Sequence, residues 1–497
     1  MWNRPMRVAL AVAVAAVALA TSGSAAAAGG LMLVSANQLG QLGTGASSGR
    51  PAMSADGRYV AFFSSATNLV ANDVNGATFD AFVVDRATGA VELADIGSDG
   101  QQAPNGTGGL VSDLGMSSDG RYVVFLSSSR LVPGMALNFN SHAYVRDLVN
   151  GTTTAVALDC AGLPAATSVY AVTISGDGRY VAFVARIDPT CGLPSDTGFG
   201  NLGVFVRDLQ TATTQLITDP ARDAAGNGST TALSGDGDIV LWDTYEYDRR
   251  TGNTVRVPGP PAKLYNVSAD GRLAVYDTEG NRSQVFVDDL VAGTSTFLGS
   301  SLNAYTAFWP NISGDGRYVT FEAAVSFYAP LEIYRTSLAT GAIELVSTSP
   351  TGDQGDANSE LPSLNRDGTI LAFQSRAANL VGGTTFLPQC PFPAGDPNPT
   401  YVTCAQIYAS AMPLTPTQQL ENLWSSVTTQ SLGSGSSLSA TLQAALNSLA
   451  SGRTKAACNQ LAAFIEEVGA ESGTTLTPAQ AASLSTSART VQTSLSC

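Results

Sequence analysis

The sequence is poor in the residues that most often carry zinc chemistry and nucleic-acid binding. Its 497 residues include one histidine, His142, and two lysines, Lys263 and Lys455, and they contain no CxxC pair. Zinc sites are built from several histidine and cysteine ligands, so this composition argues against a zinc centre. The formal net charge is −15. Because phosphate neutralisation dominates nucleic-acid affinity, we expect no nucleic-acid partner.

Long hydrophobic runs are also absent. The first 28 residues combine Arg4 and Arg7 with a short apolar run, Val8 to Ala20, and small residues at Ala25 to Ala28. This pattern is typical of a secretory signal peptide, and an uncleaved tether is the alternative. The run is too short for a transmembrane helix. We therefore expect residues 1–28 to be a signal peptide, no transmembrane segment, and a periplasmic or extracellular protein.

Cysteine is scarce but even in number, which fits an oxidising compartment. Six cysteines can pair in many ways. Their placement along the chain suggests the bridges Cys160–Cys191, Cys390–Cys404 and Cys458–Cys497.

What the sequence has in abundance is one repeated segment, SADGRYVAF from Ser54 in its first copy. Its Asp-Gly pair recurs about 52 residues apart on average, a period typical of propellers and solenoids. The seven aspartates of these pairs are Asp56, Asp119, Asp177, Asp236, Asp270, Asp315 and Asp367.

Each repeat predicts a turn followed by a fully buried strand. Ser and Asp bond to local backbone and Gly accepts a positive φ, as a tight turn requires. The sixth residue after each Asp is aromatic: Phe62, Phe125, Phe183, Trp242, Tyr276, Phe321 and Phe373. The strand is apolar on both faces, so neighbouring sheets must cover it on both sides. Four strands fit in each repeat, which is the size of a propeller blade.

Two details fix the number of blades and the closure of the ring. Only 34 residues separate Asp236 from Asp270, yet four short strands still fit, so the count is seven. The last repeat lacks an outer strand, and the segment from Leu33 parallels the segment from Leu345. An N-terminal strand that completes the last blade would remove free sheet edges. The alternative is an N-terminus that frays.

The fold class predicted is therefore an all-β seven-bladed β-propeller with four-stranded antiparallel blades, its last blade closed by an N-terminal strand. The pattern S-x-D-G-[RK]-x-[IV]-A-F, followed by strands such as FVRDL from Phe205, resembles the TolB-like (WD-type) propeller repeat over residues 29–412. That family includes periplasmic scaffolds, substrate gates on peptidases and modules of unknown purpose. The resemblance implies a fold more than a role.

Residues 413–497 change to a helical period and predict a small all-α bundle of four helices. Thr415-Pro416 and Thr477-Pro478 are typical helix starts. Three apolar stripes follow, among them Leu461, Phe464 and Val468. The segment from Ser451, with F-I-x-x-V-x-A at Phe464 to Ala470, resembles the FIMAH domain of bacterial secreted proteins. This resemblance implies an accessory domain at the cell exterior.

Candidate catalytic groups are few. His142 lies at a strand entrance and no G-x-S-x-G elbow accompanies it, which argues against a Ser-His-Asp triad. The aspartates of the repeated turns, and those that end strands, predict structural roles because they recur around the ring. The strand-end aspartates are Asp85, Asp147, Asp208, Asp248 and Asp288.

One loop carries a weak calcium signal. Asp73, Asn75 and Asp80 offer oxygen ligands of the kind calcium prefers. The loop lacks the full Asp-x-Asn-x-Asp-Gly spacing, so an ordinary polar loop is the leading interpretation and calcium the alternative. We expect no other metal, no cofactor and no catalytic residue.

The loops opposite the Asp-Gly turns differ most between repeats. Long loops occur in blades one, two, three and seven, at 64–80, 126–141, 184–203 and 374–405, and they form one continuous crescent. Two of the expected disulfides would rigidify it, which lowers the entropic cost of binding. Loop position alone selects the contact candidates, which are Asp73, Asn75, Asp80, Asn140, His142 and Asp188.

These features predict a secreted, monomeric, non-catalytic binding or scaffold protein that recognises a protein or glycan through the crescent. The alternative is an extracellular lyase or hydrolase that uses the axial channel. It needs charged residues on the innermost strands, where the sequence shows mostly Ala, Leu, Val, Ser and Thr. A third possibility is a gating or assembly module for a separate catalytic chain.

Overall fold

The computed structural model describes residues 31–497 except 103, 105, 108–113, 135–139, 166, 189, 195–200, 219–230, 258–262, 279–281, 300–301, 303, 382–388, 391–401, 404, 412–415, 430–435 and 496. The predicted signal peptide, the Cys390–Cys404 bridge through its Cys404 end, and the boundary at 412/413 lie outside the described residues.

The chain forms seven four-stranded antiparallel sheets, one for each repeat, as predicted. The N-terminal strand is β1 (Leu31–Leu33). Blade 1 comprises β2 (Ser47–Met53), β3 (Tyr59–Ser64), β4 (Asp80–Asp85) and β5 (Ala90–Leu93). Blade 2 comprises β6 (Leu114–Met116), β7 (Tyr122–Ser127), β8 (His142–Asp147) and β9 (Thr152–Ala155). Blade 3 comprises β10 (Val169–Ile174), β11 (Tyr180–Arg186), β12 (Leu202–Asp208) and β13 (Thr213–Leu216). Blade 4 comprises β14 (Thr231–Leu233), β15 (Ile239–Trp242), β16 (Tyr245–Asp248) and β17 (Asn253–Arg256). Blade 5 comprises β18 (Lys263–Val267), β19 (Leu273–Asp277), β20 (Val285–Asp289) and β21 (Thr294–Phe297). Blade 6 comprises β22 (Thr306–Ile312), β23 (Tyr318–Ala324), β24 (Glu332–Ser337) and β25 (Ile343–Leu345). Blade 7 comprises β26 (Ser359–Leu364), β27 (Ile370–Ser375) and β30 (Gln406–Ala411), with the hairpin β28 (Gln389–Cys390) and β29 (Val402–Thr403) inserted before β30.

The last blade is completed by the N-terminal strand, which confirms the predicted closure. β1 pairs antiparallel with β30, with Leu33 opposite Tyr408, and supplies the outer strand of a sheet ordered β26-β27-β30-β1. Both ends of the propeller segment therefore lie in one sheet, and the ring has no free blade edge at its junction.

The repeated aromatic residues form the core of each blade. Every one of them is at most 2% exposed and lies opposite a second aromatic on the third strand, with ring centroids 5.2–6.1 Å apart. The seven pairs are Phe62–Phe82, Phe125–Tyr144, Phe183–Phe205, Trp242–Tyr245, Tyr276–Phe286, Phe321–Tyr334 and Phe373–Tyr408. Such pairs add about 1 kcal/mol each beyond area burial, so the repeat stabilises blades individually.

The Asp-Gly turns join the blades into a closed ring. In blade 1, Ser54 Oγ donates to Asp56 Oδ1 at 2.6 Å, and the Tyr59 amide donates to Ser54 Oγ at 2.9 Å. Neighbouring turns are linked by backbone hydrogen bonds of 2.7–3.1 Å, from Ala55 to Ser118 in blade 2 and onward until Arg366 returns to Ala55. Seven such bonds pass through all seven blades, so this end of the axial channel is narrow.

The glycine of each turn packs against the blade before it. Gly178 has φ +72°, and a Cβ built there would lie 2.6 Å from Cδ2 of Tyr122. Glycine is therefore needed both for its left-handed conformation and for close approach. This double requirement explains why the Asp-Gly pair survives in every repeat.

Arginine–aspartate pairs fix the same face of four blades. Arg58–Asp85, Arg121–Asp147, Arg179–Asp208 and Arg272–Asp289 join the Asp-Gly turn to the end of the third strand at 2.6–2.7 Å. Asp289, and not the predicted Asp288, is the strand-end residue of blade 5. Asp288 is fully buried near Tyr276 and Ser295 instead.

The C-terminal residues form the helices α1 (Pro416–Thr429), α2 (Ser436–Ala450), α3 (Thr454–Glu471) and α4 (Pro478–Ser494). The predicted start at Thr477 is confirmed as a capping box with Gln480. The predicted stripes are buried together in one core, in which Leu442, Phe464 and Ala488 are fully buried. Disulfides join Cys160 to Cys191 and Cys458 to Cys497, as predicted, with Cα atoms 6.1 and 5.8 Å apart. Among the described residues, no helix is long and apolar enough to span a membrane.

Candidate functional site

The axial channel opens on the face opposite the Asp-Gly ring, and its lining there is irregular. The inner strands β2, β22 and β26 each change register near their middle, so that residues bulge toward the axis. The bulges bring Arg50, Trp309 and Leu361 to the same level, each four residues before the Ser or Asn that opens its turn. Blades 1, 6 and 7 are neighbours, so the three bulges share one side of the channel.

The contacts of Arg50 show that the three bulges border the axial channel. Its Nη2 donates to the carbonyl of Trp309 at 3.1 Å, and its guanidinium lies 5.9 Å from the centre of the Trp309 ring. Blades 1 and 6 are not adjacent, because blade 7 stands between them. A bond that joins them has to cross the space in front of the blade-7 inner strand.

Trp309 and Leu361 are held in a backbone conformation that only glycine adopts freely. Their φ angles are +50° and +57°. A buried carboxylate supports each one: the Trp309 amide donates to Asp277 Oδ2 at 3.0 Å, and the Leu361 amide donates to Glu322 Oε2 at 2.9 Å. Non-glycine residues at positive φ cost about 1–3 kcal/mol and concentrate at functional sites, because the surrounding structure has to enforce them.

Acidic groups surround these two amides. Asp277 and Glu322 are 2% and 3% exposed. Burial raises the pKa of Glu322 to about 8, against the lowering effect of the Leu361 amide, and the carboxylate of Glu360 raises it further. Glu360 is only half-buried and accepts from Arg376 Nη1 at 3.1 Å. The site therefore holds two glutamates in contrasting states, one neutral at pH 7 and one ion-paired. We call Arg50, Asp277, Trp309, Glu322, Glu360, Leu361 and Arg376 the channel cluster.

The innermost strands were expected to carry mostly Ala, Leu, Val, Ser and Thr, but those of blades 1, 6 and 7 also carry Arg50, Trp309 and Glu360. A sequence signal for the bulges exists, namely a proline directly after each bulged residue: Pro51, Pro310 and Pro362. Proline cannot donate to a strand ladder and marks bulges inside sheets. The charged partners Asp277 and Glu322 carry a weaker signal. Each directly follows the repeated aromatic of its second strand, where blades 4 and 7 also have polar residues, Asp243 and Gln374.

The predicted blade-1 residues come together on the long-loop face. Asn75 Nδ2 donates to Asp80 Oδ1 at 2.8 Å, and Gln102 Nε2 donates to Asp73 Oδ1 at 3.1 Å. Asp80 is fully buried at the start of β4, whereas Asp73 and Asn75 are half-buried. Two further residues, Asp95 and Thr78, join this group and were not predicted.

The other predicted contact residues lie apart from that group. Asn140 is half-buried before β8, and His142 begins β8 with 3% of its surface exposed. Burial lowers the pKa of His142, which favours the neutral imidazole. Asp188 shapes a tight turn, because its Oδ1 accepts from the amide and the hydroxyl of Thr190 at 2.7 and 2.6 Å.

Asp188 also lies beside the disulfide of Cys160 and Cys191. Its carboxylate oxygen and the two sulfurs lie within 4.8 Å of one another. Bonded sulfurs are not thiolates, and the thiolate is the form that ligates metals. The contact therefore positions a loop of the crescent and offers no metal centre.

Comparison with known proteins gives distant likenesses to solved structures. An oligogalacturonate lyase in complex with manganese is 13% identical, with 73% of this chain and 88% of that chain covered and a TM-score of 0.46. TolB from Acinetobacter baumannii is 12% identical over 67% and 76%, with a TM-score of 0.36. The β-propeller domain of the Trilobed protease from Pyrococcus furiosus is 13% identical over 67% and 89%, with a TM-score of 0.44. No family model and no curated protein matches the chain.

Proposed function

We propose that this protein is an exported, non-catalytic binding protein that holds a hydroxyl-rich ligand, a glycan segment, in its axial channel at the channel cluster. The ligand enters from the long-loop face, since the Asp-Gly ring narrows the other end. The two described disulfides fit an exported protein. Residues 413–497 are, in this proposal, an accessory domain at the cell exterior.

The observation that carries the proposal is the strained, exposed Trp309. Its backbone is held at positive φ, yet the residue is 37% exposed. Burial of the residue does not account for that strain, because more than a third of its surface stays accessible to solvent. An aromatic ring held rigidly toward a concave space is well suited to contact a ligand, since little entropy is lost on binding.

The groups around Trp309 match the chemistry of a sugar. Arg50 and Arg376 supply planar guanidinium donors, and Glu360 supplies acceptors, all only partly buried. Binding sites commonly combine aromatic surface with a few placed polar groups that fix orientation. Trp309 would supply the aromatic surface, and the ion-paired Glu360 and Arg376 would supply the polar groups that orient the ligand.

A lyase or hydrolase is the second candidate, and the contrast between Glu322 and Glu360 favours it. A carboxyl group kept neutral by burial beside an ion-paired carboxylate is an arrangement that many enzymes use as acid and base. The binding proposal ranks first because Glu322 is nearly inaccessible and its Oε2 is already engaged by the Leu361 amide. A substrate would have to displace that amide to reach it.

The test is binding of the purified protein to an array of plant and bacterial polysaccharides, with wild type compared to Trp309→Ala. Tyr328→Ala is the matched control, because Tyr328 is an exposed aromatic, 93% exposed, in the β23–β24 loop outside the channel cluster. We expect wild type and Tyr328→Ala to give the same signals and Trp309→Ala to lose them at least tenfold. Equal signals from all three proteins would refute the channel as the binding site.

The enzyme candidate is tested with the same polysaccharides in solution. Incubation with wild type should leave their chain length unchanged if the protein only binds. Release of shorter products by wild type and not by Glu360→Gln would replace the binding proposal with the enzyme candidate.

A further inference from the structure

Two buried carboxylates face each other in blade 1 without a counter-charge among the described residues. Asp80 begins β4 and Asp95 follows β5, and both are fully buried. The register that places Phe82 opposite Leu93 also places Asp80 opposite Asp95.

Several oxygens around this pair lack hydrogen-bond partners among the described residues. They are Oδ2 of Asp73, Oγ1 of Thr78, Oδ2 of Asp80, and both carboxylate oxygens of Asp95. Buried polar atoms in folded proteins are nearly always paired, and each exception calls for an explanation such as an ion. Five such oxygens from four side chains in one region of one blade point to a cation.

The equivalent positions in two other blades carry a serine donor in place of Asp95. In blade 6, Ser347 Oγ donates to Glu332 Oε2. In blade 7, Ser35 Oγ donates to Gln406 Oε1 at 2.7 Å. In the strand registers of blades 6 and 7, these two pairs lie at the positions that Asp80 and Asp95 have in blade 1. Blade 1 differs because an aspartate stands where those two blades have a serine donor.

Neighbouring segments gather the oxygens toward the pair. Gly106 packs so closely that a Cβ there would lie 2.7 Å from Thr78 Oγ1 and 2.9 Å from Asp80 Oδ1. Gln102 accepts from the Val74 amide at 2.7 Å and donates to Asp73, which holds the Asp73 loop against the segment after β5. Asp80 and Asp95 therefore form the inner part of the site, and Asp73 stands at its outer edge.

We propose that blade 1 binds one calcium ion, with Asp80, Asp95 and Thr78 as the protein ligands and Asp73 as a further negative charge at the edge of the site. All donors are hard oxygens, the type that calcium and magnesium take. Calcium is favoured over magnesium because it accepts carboxylates in irregular geometry with six to eight ligands, whereas magnesium demands a near-ideal octahedron. The site does not depend on the proposed glycan function, since it lies in the loop of blade 1 and not in the channel cluster.

The test is calcium titration of the chelator-treated full-length protein by calorimetry, together with thermal unfolding. We expect wild type to bind one equivalent of calcium and its Tm to rise by about 3 °C at a hundredfold excess over Kd. Asp95→Ser should bind at least a hundredfold more weakly. This variant is expected to fold, because serine occupies the equivalent position in blades 6 and 7.

Asp188→Ser is the control, since Asp188 is a half-buried aspartate in another loop of the same face. It should bind calcium as wild type does. If wild type binds no calcium at about 5 mM, or if Asp95→Ser and wild type bind it equally, the site does not exist. If Asp95→Ser fails to fold, Asp73→Ala at the half-buried edge of the site decides between the same two outcomes.

Discussion

The two faces of the propeller differ in how strictly they keep the repeat. On the Asp-Gly face, every blade presents a like turn, and hydrogen bonds of 2.7–3.1 Å pass from blade to blade around the axis. On the long-loop face and in the channel below it, equivalent positions carry different residues. Asp80 in blade 1 corresponds to His142 in blade 2, Glu332 in blade 6 and Gln406 in blade 7.

This difference indicates that the Asp-Gly face stabilises the ring, whereas the long-loop face and the channel can carry specific recognition. A closed ring tolerates variation at one end when the other end is fixed by identical contacts. The strained residues Trp309 and Leu361, the buried Glu322 and the unpaired oxygens of Asp95 all lie away from the Asp-Gly turns. Strain and buried charge reduce stability, so the meeting of Trp309, Leu361 and Glu322 in the channel favours a functional origin.

The largest expected effect is the alkaline loss of stability caused by Glu322. Its pKa is raised to about 8 in the folded protein, so its contribution is fully present below pH 4.5 and is lost as pH rises through 8. The free energy of unfolding of wild type should therefore fall, relative to that of Glu322→Gln, by on the order of 3 kcal/mol between pH 5 and pH 9. Urea unfolding at the two pH values measures this. A constant difference between the two proteins would show that Glu322 is not neutral in the fold.

The second effect tests the ring itself with two glycines at the same backbone angle. Gly178 and Gly89 both have φ +72°, but a Cβ at Gly89 meets nothing within 4 Å while one at Gly178 strikes Tyr122. Gly89→Ala should cost about 1 kcal/mol, from backbone strain alone. Gly178→Ala should cost about 3 kcal/mol, because overpacking is added. Equal losses in denaturant unfolding would mean that inter-blade packing at the turns contributes little.

The third effect measures the strain at Trp309. Both Trp309→Gly and Trp309→Ala remove the ring, but glycine accepts a positive φ and alanine does not. Trp309→Gly should therefore be the more stable of the two by about 1 kcal/mol. At Phe308, which is not at positive φ, the order should reverse, since glycine weakens an ordinary strand. The same order at both positions would remove the evidence for strain in the channel.

The smallest expected effect belongs to the arginine pairs of the Asp-Gly face, and its pH dependence has the opposite sign. The hydrogen bond from Arg121 lowers the pKa of Asp147 to about 2, so this pair stabilises the fold above pH 4 and its contribution is lost as pH falls through 2. Asp147→Asn should be less stable than wild type at pH 5 and equal to it at pH 2. Acid unfolding followed by circular dichroism measures the difference, which should shrink in about 1 M salt.

The sequence predicted the scaffold because the scaffold is what repeats. Phe62 and its six equivalents, the Asp-Gly turns and the strand from Leu33 each follow from a period that any single copy would not reveal. Asp288 was predicted in place of Asp289 although the sequence distinguishes the two: the other strand-end aspartates lie three residues after the aromatic of the third strand, and Asp289 lies three residues after Phe286.

The candidate sites were harder to predict because they depend on departures from the repeat. Arg50 of blade 1 lies more than 250 residues before Trp309 and Glu322 of blade 6, and their meeting requires bulges that only the prolines indicate. Asp95 lies 15 residues from Asp80 and faces it through the β4–β5 register. Its significance emerges only from the serines at the equivalent positions.

The contrast between the faces is tested most directly by two arginines of blade 1. Arg50 lies in the channel, and Arg58, eight residues later, lies on the Asp-Gly face. On the polysaccharide array, Arg50→Ala should lose the wild-type signals at least tenfold while Arg58→Ala keeps them. Retained signals for Arg50→Ala together with lost signals for Arg58→Ala would place recognition on the Asp-Gly face and contradict the account.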